Sequence, residues 1–177
     1  SLVGDWKYDV EKIYRSSTIS PFQDASVAEV FMKNYANKST SVETTASVAG
    51  ATIIRIKVIK NEMKYDLKSF TVEAGKPVEI IFENPDFMQH NLLIIKPGTL
   101  QTVGAAADKL AQDSKGAEMN YIPNIPEILF STKLVNPQQT VRLQFTAPKE
   151  VGDYPYVCTF PGHWSLMNGI MNVVKSK

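Results

Sequence analysis

Scarcity defines this 177-residue chain: it holds one cysteine, two histidines and two tryptophans. A single cysteine excludes an internal disulfide, so the redox compartment cannot be read from cysteine pairing. Neither charge sign dominates, with 19 Lys+Arg against 18 Asp+Glu. A basic field for nucleic acid or an anionic membrane is therefore missing, and the aromatics are not interleaved with arginine. Long apolar runs are missing too. LLII (Leu92–Ile95) is far short of the ~20 residues a membrane-spanning helix needs. The chain starts at Ser1 with neither an initiator methionine nor a signal-peptide pattern, which is the expectation for a processed or trimmed product. No internal repeat or low-complexity tract stands out.

What is present divides near residue 50. Before it, the sequence has no clean period except in DASVAEVFMKNYAN, which reads as a helix capped by Asp24 or Ser26. Residues 1–50 are expected to be an N-terminal extension or the tail of a preceding domain. From Ala51 to Lys177 the pattern is period two. TIIRIKVI sets Ile54, Ile56 and Val58 against Arg55 and Lys57, and PVEIIFEN sets Val78, Ile80 and Phe82 against Glu79 and Glu83. KNEM resembles a turn, and MKYDL, FTVEAGKP, HNLLIIKPG, TVRLQF, YPYVC and GIMNVV supply further short strands. This predicts an all-β sandwich or barrel. One insertion, about 98–131, carries a predicted helix over Thr102–Asp113 and reads as a flap on the body.

The only cysteine and one of the histidines share a short loop, CTFPGHWSLMNG, which places Cys158, His163 and Met167 between two strands. The other histidine, His90, begins the strand NLLII after the loop PDFMQ. In a sandwich, strand ends cluster at one pole. Two imidazoles, one thiolate and a weak thioether make the His₂Cys set with an axial Met that suits copper in electron transfer. Such a site needs the thiol deprotonated and both imidazoles neutral, so its affinity falls in acid. Met171 is a rival thioether, but its place in GIMNVV favours core packing. Met63, Met88 and Met119 also read as packing residues.

With CTFPGH…LM preceded by MQHN, the chain resembles azurin and its relatives among the cupredoxins, the type 1 blue copper proteins. The resemblance covers roughly residues 51–177, including the strand before His90, the helical flap, STKLVNPQQTVRLQF and the terminal hairpin. It implies a Greek-key β-sandwich holding one copper ion, with His90, Cys158 and His163 as equatorial ligands and Met167 as the axial one. It implies a weak opposite axial contact from the backbone carbonyl of Gln89, where azurins usually have glycine. Around the ligands it implies roles for Asn91, Thr159 and Phe160: the Asn91 side chain ties the two ligand loops, and the Asn91 and Phe160 N–H groups point at the sulfur. Pro161, Trp164, Met88 and Phe87 would form an apolar docking patch at the edge of His163. The implied function is one-electron transfer to redox protein partners, or within a protein carrying a fused redox domain, in the periplasm or otherwise outside the cytoplasm. Two departures stand: the disulfide of azurins has no counterpart here, and azurins lack such an extension.

Two other chemistries use the same residues. A copper-binding or transfer module without a carrier role, or a zinc site of His₂Cys plus water, needs the same ligands. A cysteine enzyme would use Cys158 as nucleophile with His163 or His90 as base.

Overall fold

The computed structural model describes residues 48–176. The predicted helix at 24–37 and nearly all of the predicted extension lie outside the described residues.

Eight strands and one helix follow in the order β1 (Thr52–Lys57), β2 (Ser69–Glu73), β3 (Pro77–Asn84), β4 (Leu93–Ile95), α1 (Leu100–Ala111), β5 (Ile128–Ser131), β6 (Gln139–Thr146), β7 (Gly152–Val157) and β8 (Asn168–Val174). They form a three-stranded sheet, β1-β3-β6, and a five-stranded sheet, β2-β8-β7-β4-β5. β1 and β2 are successive in the chain but join opposite sheets, each parallel to its neighbour, while the other pairs are antiparallel. The inner faces meet in one core: Ile56, Val78, Ile80, Phe82 and Phe145 come from the first sheet, and Phe70, Val72, Ile94, Tyr154, Tyr156, Met171 and Val173 from the second. This is the sandwich that the alternating pattern predicts, and Met171 takes its place in the core.

Several details differ from the periodic reading. MKYDL forms only an isolated bridge, Val58 to Tyr65. Tyr65 is buried in the core and Leu67 packs partly against it, while Met63, Lys64 and Asp66 are exposed. β5 was not expected. It closes the inserted segment against β4, with a register shift between Ile94 and Ile95. Met63 and Met119 are 37% and 40% exposed, so neither packs inside. Glu79 is fully buried on the face of β3 opposite the core. A buried carboxylate must be partnered, and Arg142 and Gln144 of β6 donate to its two oxygens.

The uninterrupted LLII run has a clear cause. Leu92 and Ile94 face the sandwich core, while Leu93 and Ile95 join a second cluster with Val103 of α1 and Val157. Both faces of β4 are covered, so neither can be polar. The helix begins and ends two residues earlier than the sequence predicts. It is capped by the backbone alone, with no side-chain bond from Thr99, whose hydroxyl donates to the Lys96 carbonyl instead.

Tyr156 shows how tightly the second sheet is fitted. Its ring lies between Phe70 and Tyr65, at centroid distances of 5.5 and 5.4 Å, and its hydroxyl donates to the Leu67 carbonyl. It pairs across the ladder with Gly169, where a β-carbon would stand 2.2 to 2.7 Å from the phenol ring. The ring has nowhere to move, so Gly169→Ala should destabilise the fold by about 3 kcal/mol, the upper range for overpacking a core. A urea midpoint equal to that of the parent would refute this account of the position.

Candidate metal centre

Three buried side chains converge at one end of the sandwich. Cys158 follows β7, His163 lies five residues on in the β7–β8 loop, and His90 lies between β3 and β4. The ligand-type atoms of His90, Cys158 and His163 all fall within 4.8 Å of one another. Nδ1 of His163 is 3.6 Å from the Cys158 sulfur and Nδ1 of His90 is 3.9 Å from it. A metal with bonds of about 2.1 Å to imidazole and about 2.3 Å to thiolate, at trigonal angles, sets nitrogen and sulfur about 3.8 Å apart. The donors are therefore spaced to bind one ion.

Backbone bonds hold this arrangement. The His90 N–H donates to the Val135 carbonyl at 3.2 Å, and the His90 carbonyl accepts the Val135 N–H in return at 2.8 Å. In the other loop, the His163 N–H bonds to the Phe160 carbonyl, and the Met167 N–H bonds to the His163 carbonyl. The Cys158 N–H then closes on the Met167 carbonyl at 3.0 Å. This last bond brings the fully buried Met167 back beside the cysteine.

Burial sets the proton occupancy. It pushes the Cys158 thiol up to about 12, against the opposing effect of the Asn91 and Phe160 backbone N–H groups, which favour the thiolate. Burial also drops His163 to about 4, helped by His90 and opposed by Asp86. His90 is lowered by burial against the pull of Asp86. Near neutrality both imidazoles are thus unprotonated and ready to ligate, and one proton remains on sulfur.

The family model for copper-binding proteins of the plastocyanin/azurin family matches residues 52–174. The chain belongs to that family. Auracyanin-A of Chloroflexus aurantiacus is 37% identical over 125 residues, 70% of this chain and 75% of that protein. Azurin-1 of Alcaligenes xylosoxydans xylosoxydans is 30% identical over 121 residues, 63% of this chain and 90% of that protein. Among solved structures, auracyanin A, a "blue" copper protein of C. aurantiacus, superposes with a TM-score of 0.64 at 35% identity, covering 71% of this chain and all of that one. The dithionite-reduced auracyanin of Roseiflexus castenholzii gives 0.59 at 32%, covering 71% and 99%. The fold is a cupredoxin sandwich with a helical insert. His90, Cys158, His163 and Met167 are arranged as a type 1 copper site, and their donor chemistry fits copper in both oxidation states.

Around this cupredoxin centre, Asn91 joins the two ligand loops. Its Oδ1 accepts the Thr159 N–H at 2.8 Å, and its Nδ2 donates to the Thr159 hydroxyl and to the Asn120 carbonyl, each at 3.0 Å. Phe160 packs on the His163 ring at 4.9 Å and meets Tyr121 edge-on. Gln89 turns its side chain to Asn136, 2.7 Å away. Asp86, which the sequence reading missed, bonds to Nε2 of His90 at 3.0 Å. Its only signal in the sequence is a carboxylate four residues before a ligand histidine.

The residues of the docking patch are placed unequally. Phe87 is 66% exposed, while Met88 and Pro161 are half-buried. Trp164 is also half-buried, and its ring lies flat on α1, where a β-carbon at Gly104 would come within 2.4 Å of it. Its indole N–H donates to Asp108 at 3.0 Å. Trp164 fastens the ligand loop to the flap helix. Leu166, absent from the sequence-based patch, is 60% exposed.

Proposed function

We propose that this protein is a one-electron carrier, cycling one copper ion between Cu(II) and Cu(I). The observation that carries this reading is the convergence of two neutral imidazoles and one thiol in a pocket where none of the three is more than 2% exposed. Copper bound there supplies a redox step with little change in ligation. The side chains do the rest: they hold the donors in place and keep water away.

The same burial counts against the other two chemistries. A nucleophilic cysteine wants an accessible, low-pKa thiol, whereas Cys158 is fully buried and its thiol is pushed up to about 12. Copper delivery favours an open, exchangeable site, and this one is closed. Among the described residues no helix is long and apolar enough to cross a membrane.

Residues 51–177 constitute the electron-transfer module in this reading, and residues 1–50 an extension or the tail of a preceding domain. Export to the periplasm, or otherwise out of the cytoplasm, is supported by family membership. The partner is a redox protein or a fused redox domain that docks over Phe87, Met88 and Pro161, next to the edge of His163. The small apolar area suits weak, quickly released complexes.

Titration of the copper-free protein with Cu(II) tests the function. The expected result is an intense visible band that saturates at one copper per chain, bleaches with a one-electron reductant and returns on reoxidation. A colourless complex, or colour that no reductant removes, would overturn it.

A further inference from the structure

The His90 imidazole has a buried carboxylate behind it, whereas among the described residues His163 has none. The Asp86 and His90 side chains are 2% and 0% exposed, and Oδ2 lies 3.0 Å from Nε2. The carboxylate is itself held. Its Oδ1 accepts the Asn61 N–H at 3.2 Å, in a turn where Asn61 has a φ of 63°. The Asp86 N–H donates to Asn84 Oδ1, and Asn84 Nδ2 donates to the carbonyls of Met88 and Val135. Val135 is the residue that clamps the His90 backbone. The ring and its acceptor thus belong to one closed network spanning three segments of chain, at Asn61, Asn84–His90 and Val135. Among the described residues, no lysine or arginine is ion-paired with Asp86.

We propose that Asp86 is a positioning residue of the copper centre: it holds the proton of His90 on Nε2, turns Nδ1 toward the metal, and favours the oxidised state, lowering the reduction potential. A carboxylate accepting from a ligand imidazole fixes its tautomer and makes its other nitrogen a stronger donor. Charge acts in the same direction. Cys158 and Asp86 together contribute two negative charges to a buried site, which balance Cu(II) and leave a net negative charge with Cu(I). Uncompensated charge in a dry interior is unfavourable, so the reduced state is the one disfavoured.

The inference rests on the copper reading, which the parent protein tests first by its own visible band. In Asp86→Asn the amide oxygen can still accept from Nε2, but the charge is gone. The band and the one-copper stoichiometry should remain while the potential rises. A tenfold loss of affinity confined to Cu(II) corresponds to about 59 mV for one electron, and a rise of that order is expected. Asp153→Asn, at the exposed far end of β7, removes one charge elsewhere and should leave the potential in place. An unchanged or lowered potential in Asp86→Asn overturns the proposal, as does an equal rise in Asp153→Asn. Should Asp86→Asn fail to fold, the parent protein still decides the matter. Long-range proton–nitrogen NMR of its Cu(I) form should find His90 protonated at Nε2 with slow exchange, and protonation at Nδ1 refutes the assignment.

Discussion

Replacing Cys158 by serine abolishes the visible band and weakens copper binding by roughly a hundred- to a thousandfold. The band needs an electron-rich sulfur bonded to the metal, and a serine hydroxyl at neutral pH supplies neither the charge nor the soft donor. A buried four-ligand site for a first-row metal is worth about 10–16 kcal/mol in all, so one ligand's share is about 2.5–4 kcal/mol, which gives that fold-change. The fold itself should survive. Serine is close to isosteric, and the Asn91 and Phe160 N–H groups that act on the sulfur can donate to its oxygen instead. The variant can therefore be compared with the parent as two folded proteins, by competition against a chelator and by visible spectroscopy. Intense colour retained in Cys158→Ser would mean that the thiolate is not a ligand, and the type 1 assignment would fail.

The fold was legible in the sequence wherever one face of a strand is buried and the other is wet. β1 is such a case, with Ile56 inward and Arg55 and Lys57 exposed; Val78, Ile80 and Phe82 of β3 also face inward as their spacing requires, although the opposite face of that strand is covered at Glu79 and Ile81. The reading weakened where a second layer removes the contrast. β4 is apolar on both sides because α1 covers its outer face. β5 is half-buried throughout, so ILFS has no alternation to detect. Glu79 sits on the polar side of its strand yet is buried, since its partners come from β6, 63 and 65 residues later.

At the metal centre, the ligands were legible because the chain has only one cysteine and two histidines. What holds the ligands was less so. Asn91 could be placed through the resemblance, but Asp86 could not, because a carboxylate in a polar loop usually faces water. Trp164 shows the limit of reading neighbours in sequence. It follows a ligand, which favours a place at the rim, yet its ring has a better partner in the bare backbone at Gly104. Only the three-dimensional approach of α1 reveals that contact.

The apparent affinity for Cu(II) should rise about tenfold for each pH unit from near neutrality upward, with one proton released per copper bound. The thiol carries a proton until about pH 12, and copper must displace it, so proton and metal compete with unit slope below that value. The imidazoles contribute nothing in this window: both are lowered from their ordinary value, His163 to about 4. A change from pH 7 to pH 9 should thus strengthen binding about a hundredfold, once competition from the chelator's own titration is removed. As the pH falls toward 4 the slope should steepen, because His163 begins to hold a proton as well. The same groups set the stability of the metal-free fold. Burial raises the thiol's pKa from its ordinary value of 9.0 to about 12, so its contribution is intact below pH 9 and is lost as pH rises toward 12. The imidazoles are lowered, so their contribution is lost as pH falls. Calorimetric titration in buffers of different ionisation enthalpy counts the released protons directly. Release of none at pH 7.5 would show that the thiolate exists before copper arrives. Release of two or more would show that an imidazole is charged at that pH, contrary to its burial.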